Sequence, residues 1–82
     1  MHEVGIAQSI LDAVRTEMQP YPGARPLKVA VKVGAMSGVD RDSLSFCFEA
    51  ITKGTLFEPL ILAIEDTPAD ELELSHLELE EP

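Results

Sequence analysis

A single cysteine, no tryptophan and only six basic residues set the first limits on this 82-residue chain. With Cys47 alone, neither an intramolecular disulfide nor a thiolate cluster can form. Six lysines and arginines against fifteen aspartates and glutamates give a net charge of −9. A phosphate backbone repels such a surface, which argues against nucleic acid, and the same sign disfavours anionic lipid. No apolar run approaches the ~20 residues that cross a bilayer. His2, Glu3, Gln8, Ser9 and Asp12 interrupt any charged-then-apolar leader. The expectation is a cytoplasmic protein with no membrane partner.

What is present is the composition of an ordinary globule, 45% hydrophobic and 26% charged. Residues 1–82 read as one domain. A chain this short buries only about 60–65% of the surface its unfolded form exposes, so its core is thin and a dimer would enlarge it.

Hydrophobic period gives the element order. Ile6, Ile10 and Val14 recur every four residues, with Ala7, Leu11 and Met18 on the same stripe, which predicts a helix from Glu3 to about Met18. Pro20, Pro22, Gly23 and Pro26 end it. Leu27 to Val33 alternates as a half-buried strand, with Leu27, Val29, Val31 and Val33 on one face and Lys28, Ala30 and Lys32 on the other. A loop from Gly34 to Val39 leads to Asp40, a fitting N-cap for a second helix over about Arg41–Lys53, whose stripe is Leu44, Cys47, Phe48 and Ile51. Gly54 stands where helices commonly stop.

A second strand is expected from about Pro59 to Glu65, then a turn at Thr67-Pro68-Ala69-Asp70, then a third strand from Glu71 to Glu80. Leu72 and Leu74 differ in parity from Leu77 and Leu79, and one bulge near Ser75-His76 would restore a common face. The fold class is α/β (α+β): two helices packed on one face of a three-stranded mixed sheet, in the order α-β-α-β-β. The central strand–helix–strand unit calls for a right-handed parallel crossover.

Matched lengths then position the amino end. The first helix spans ~24 Å at 1.5 Å per residue. The strand after it, carried from Leu27 to Ala35, spans ~30 Å at ~3.3 Å per residue. A short proline-rich link makes them antiparallel, so Met1-His2-Glu3 should return beside the Gly34–Asp40 loop. That end of the sheet also holds the carboxyl ends of the parallel strands, where open sheets place ligands.

The tripeptide carries chemistry of its own. The bulk of His2 leads us to expect that the initiator methionine is retained. The α-amine of Met1, the backbone nitrogen of His2 and its imidazole can then chelate one metal in small fused rings, with the amide of Glu3 as a further nitrogen. Planar nitrogen donors suit Ni(II) or Cu(II), whereas zinc prefers tetrahedral sites. Binding displaces protons and should weaken below about pH 6.5. Against this stand plainer readings: a histidine in second place is not in itself a site, and a cap explains Asp40 fully. His76 reads as a solvated histidine and Cys47 as a thiol turned toward the core. No phosphate loop and no plausibly spaced nucleophile–base pair is present, so the chain is read as a non-enzyme.

Several segments, in order, carry a resemblance. Met1-His2-Glu3-Val4-Gly5-Ile6-Ala7-Gln8-Ser9-Ile10-Leu11, Val33-Gly34-Ala35-Met36-Ser37-Gly38-Val39, Leu44-Ser45-Phe46-Cys47-Phe48-Glu49, Gly54-Thr55-Leu56 and the Glu-Leu-rich stretch 71–80 resemble the HypA/HybF family. The resemblance implies a nickel-insertion accessory protein for [NiFe]-hydrogenase maturation, and in some organisms for urease. It implies Ni(2+) held by Met1, His2 and Glu3, with Asp40 close by as a supporting ligand. The implied partners are the GTPase that supplies nickel and the hydrogenase large subunit. Family members also carry a zinc domain with two Cys-x-x-Cys pairs between the second and last strands. Here Ala69-Asp70 runs straight through and no Cys-x-x-Cys occurs, so no zinc is expected and contact with the large subunit is put in doubt.

The short link also bears on topology. If the second and third strands are neighbours, Thr67–Asp70 makes a hairpin. If the first strand lies between them, four residues look short for the crossing, and a strand-exchanged homodimer becomes the alternative. Lys28 and Lys32 opposite the glutamates favour pairing of the first and third strands. A competing function is a protein-interaction module of the same fold that no longer handles metal.

Overall fold

A computed structural model describes residues 2–82. Its elements are α1 (Glu3–Met18), β1 (Arg25–Gly34), α2 (Arg41–Thr52), β2 (Ile61–Thr67) and β3 (Leu72–Glu80), the expected order. The sheet runs β2-β1-β3, with β1 parallel to β2 and antiparallel to β3. Both helices bury their stripes on one face of it. Ala7, Ile10 and Val14 of α1 meet Val29, Val31 and Val33 of β1 and Leu44 and Phe48 of α2 in a single core. Burying a side chain such as Leu44 contributes about 2 kcal/mol.

Three local details depart from the periodic reading. β2 starts two residues later than Pro59, because Thr55 to Leu60 is taken up by successive turns, in which Glu58 N donates to Thr55 O and Leu60 N to Phe57 O. Leu27 is 41% exposed and does not join the valines in the core. It sits at a register shift between Pro26 and Lys28, which lets β1 carry one residue more than β3 there. Cys47 is half-buried at the margin of the core. The slip in β3 falls where the leucine parity puts it: the register shifts between Ala30 and Val31, leaving Ser75 as the extra residue between Leu74 and His76.

The hairpin does not form; the link crosses the end of β1. Strands lie ~4.8 Å apart, so β2 and β3 are separated by ~10 Å. The five steps from Thr67 to Leu72 reach up to ~17 Å, which is ample. A single chain therefore closes its own sheet, and the expectation that four residues are too short is corrected. The crossing hugs β1: Ala35 N donates to Thr67 O at 2.8 Å, Met36 N to Ala69 O at 2.9 Å, and Gly34 N to Glu71 O at 2.7 Å. Gly34 is what allows this. A β-carbon there would lie 2.1 Å from Ala69 O.

The lysines of β1 face the glutamates as charge pairing requires. Lys28 opposes Glu78, with Nζ 3.8 Å from Oε2, and Lys32 opposes Glu73. On the same helix-free face Ser75 Oγ donates to Glu65 Oε1 at 2.8 Å, bridging β3 and β2 across β1. No described helix is long and apolar enough to cross a membrane.

Candidate metal centre

The end of the sheet where β1 and β2 finish gathers the start of α1, the Gly34–Asp40 loop and the start of α2. Asp40 is the N-cap of α2, and its Oδ1 accepts from Asp42 N at 3.0 Å and Ser43 N at 3.1 Å. Its backbone nitrogen donates to Glu3 Oε2 at 3.1 Å. The carboxylate of Glu3 thus sits at the start of α2, where the helix dipole favours negative charge. Ser37 Oγ accepts from Val39 N at 3.3 Å, and Gly38 takes φ +78°, so the loop turns inward toward Asp40. Arg41 pairs with Asp66 Oδ2 at 2.7 Å, fastening the same corner to β2.

His2 is the N-cap of α1 and is exposed. Its carbonyl accepts from Gly5 N at 3.1 Å and Ile6 N at 3.3 Å, while its imidazole makes no capping bond. The first backbone N–H groups of a helix have no partner within it. The amide nitrogens of His2 and Glu3 are therefore outside the helical ladder, and a metal that displaced their protons would break no α1 hydrogen bond. Of the four expected site residues, Glu3 and Asp40 are in direct contact, and His2 immediately precedes Glu3 in the chain. Met1 lies outside the described residues.

Side chains alone do not make a cage. Among the described residues, no group of three histidine, cysteine, aspartate or glutamate side chains comes together. His76 lies far along β3 from this corner, exposed and 3.7 Å from Glu78 Oε2. A metal centre here has to draw on backbone nitrogens.

Two features were not read from the sequence. One is the Glu3 carboxylate, valued there only for its amide. The other is a cleft of about 450 Å³ that starts at His2 and runs between α1 and β3, bordered by Gly5, Ser9, Ala13, Leu72 and Leu74. Its signal was the row of small residues at Gly5, Ser9 and Ala13, four apart on one flank of the helix.

Comparison with known proteins bears on this corner. The family model described as hydrogenase/urease nickel incorporation, metallochaperone, HypA, matches residues 1–72. A hydrogenase maturation factor HypA of Geotalea daltonii is 46% identical over 69 residues, covering 84% of this chain and 60% of that protein. The corresponding factor of Salmonella typhimurium is 34% identical over 70 residues, covering 85% of this chain and 59% of its own. The chain thus spans about three-fifths of the length of these curated relatives. The solution structure of the nickel metallochaperone HypA from Helicobacter pylori superimposes over 100% of both chains with a TM-score of 0.84 at 17% identity, a likeness of fold.

Proposed function

The chain belongs to the HypA family of hydrogenase/urease nickel-incorporation metallochaperones, and from that premise we propose that it carries Ni(II) on its own first residues. The proposed donors are the α-amine of Met1, the backbone nitrogen and imidazole of His2 and the amide nitrogen of Glu3, with the Asp40 carboxylate alongside. Nickel is cargo here, not a resident cofactor. The nitrogens enforce a planar donor set suited to Ni(II). Asp40 supplies a negative charge that offsets the metal and can occupy or vacate an outer position during transfer.

The single observation that carries this reading is the hydrogen bond from Asp40 N to Glu3 Oε2 at 3.1 Å. It ties the histidine-bearing terminus to the loop aspartate across 37 residues of chain. A site made of terminal atoms in the open releases metal more readily than a buried cage does. That suits a carrier working in the cytoplasm between the nickel-supplying GTPase and the large subunit of a hydrogenase, or the corresponding step for urease. Zinc has no part in the reading, because the 82 residues hold no Cys-x-x-Cys pair.

The test is a comparison of two amino ends. Nickel added to the chain with a free Met1 amine should give one equivalent of a planar, diamagnetic complex. The chain with that amine acetylated should bind weakly and without that spectrum. Equal binding by both would refute the amine as a ligand, and weak binding by both would leave the protein-interaction module as the better account.

A further inference from the structure

We propose that the seam between α1 and β3 is a docking groove for an extended, basic segment of another protein, added as a fourth strand to the free edge of β3. Two helices cannot cover three strands evenly, and here the uncovered strip falls along β3. The apolar cleft beside His2, with Ile6, Ile10 and Leu72 on its walls, meets a second, more polar cleft of about 570 Å³ between Glu17 and Tyr21 on one side and residues 74–79 of β3, with Glu81 just past the strand, on the other. Leu74 lines both, so the two form one trench along the strand. At ~3.3 Å per residue the strand offers a ~30 Å edge. Among the described residues β3 pairs only with β1, so its outer backbone groups face the trench side without a strand partner.

The geometry points to a strand as occupant. A row of unpaired backbone donors and acceptors is completed by another strand, and alternate side chains of that strand would turn inward under α1. Gly5, Ser9 and Ala13 leave room for them because that row of α1, beside the walls formed by Ile6 and Ile10, carries little side-chain bulk. Leu72, 39% exposed, and Tyr21, 48% exposed, stand near opposite ends as apolar contacts.

Charge selects the partner. Glu73, Glu17 and Glu81 border the trench, and among the described residues its only basic side chains are the histidines His2 and His76, with no lysine or arginine. The nearby cations are engaged elsewhere, Arg25 with Glu80 and Lys28 with Glu78. A second copy of the chain would set one glutamate-rich β3 against another, in a protein of net charge −9. An incoming strand that alternates apolar with basic residues satisfies both the walls and the rim. This docking is independent of the nickel reading, although the apolar half of the trench ends at His2.

The test uses a synthetic nine-residue peptide alternating lysine with valine or leucine, titrated into the isotope-labelled 82-residue chain and followed by NMR and amide exchange. Shifts should concentrate on residues 5–13 and 72–80, and the outward amides of β3 should exchange more slowly. Ser9→Phe fills the trench from an exposed position and should weaken binding about tenfold while the circular dichroism spectrum stays unchanged. A peptide of equal charge with two internal prolines should not bind. Equal affinity for the proline peptide, insensitivity to Ser9→Phe, shifts centred on β2, or occupation of the trench by a second copy in sedimentation would each overturn the proposal.

Discussion

The carboxylate of Glu3 holds the backbone nitrogen of Asp40 at 3.1 Å, joining the first turn of α1 to the residue that starts α2. This contact does two things. It ties the start of α1 to the loop, and it places Glu3 beside a residue whose carboxylate is already committed on one oxygen to capping.

Removing the clamp should be felt by metal more than by the fold. The bond is exposed, with Asp40 at the surface and Glu3 half-buried, so Glu3→Ala should cost about 1 kcal/mol or less of stability. Nickel binding should weaken about three- to tenfold, as the terminus loses its fixed approach to the loop. Glu3→Gln keeps an acceptor oxygen and should recover most of that loss. Urea denaturation and nickel calorimetry on the pair separate the two effects.

Asp40 has two roles that one pair of substitutions can divide. Asp40→Ala removes the cap that serves Asp42 N and Ser43 N, and should cost about 1 kcal/mol. Asp40→Asn retains a capping oxygen but not the charge. The asparagine variant should unfold like the parent yet hold nickel less tightly. A loss of affinity only in the alanine variant would assign Asp40 to capping alone.

Gly34 is expected to be the least replaceable glycine. Its missing β-carbon is the space through which Ala69 O passes, at a built distance of 2.1 Å. Gly34→Ala should destabilise the chain by about 2–4 kcal/mol. For a domain of this size that corresponds to a melting point lower by roughly 10–20 °C. Gly5→Ala, where a β-carbon meets nothing within 4 Å, serves as the control and should be neutral or mildly stabilising.

Acid should release the metal. Nitrogen ligands bind nickel only after losing their protons, so protons compete directly and affinity falls as pH falls. Between about pH 7.5 and about pH 6 the dissociation constant should rise by roughly tenfold or more per unit. Nickel titrations across that range measure the slope, and a flat profile would point to carboxylate ligands instead.

Much of this architecture is legible in periodicity. The stripe of α1, the alternation of β1, the Asp40 cap and the bulge at Ser75 all follow from local rules that act within a few residues. So does the juxtaposition of Glu3, at the start of α1, with the loop, because a helix and a strand of similar length joined by a short link must return. What local rules do not reveal is what happens between distant segments. The close approach at Gly34 depends on sheet order, which four link residues leave open. Leu27 has the right parity for the core and leaves it because a register shift opposite Leu79 and Glu78 lets it out. The carboxylate of Glu3 is indistinguishable in sequence from any other acidic residue of a first helical turn. The trench along β3 is visible only as three small residues until the strand beside them is known.

The most direct measurement is nickel calorimetry on the chain with a free Met1 amine beside the same chain carrying His2→Ala. The account predicts tight, one-to-one binding in the first. It predicts loss of that binding in the second, with unchanged circular dichroism, because the His2 imidazole makes no capping bond and is exposed. Equal affinity in the two proteins would contradict the account at its root.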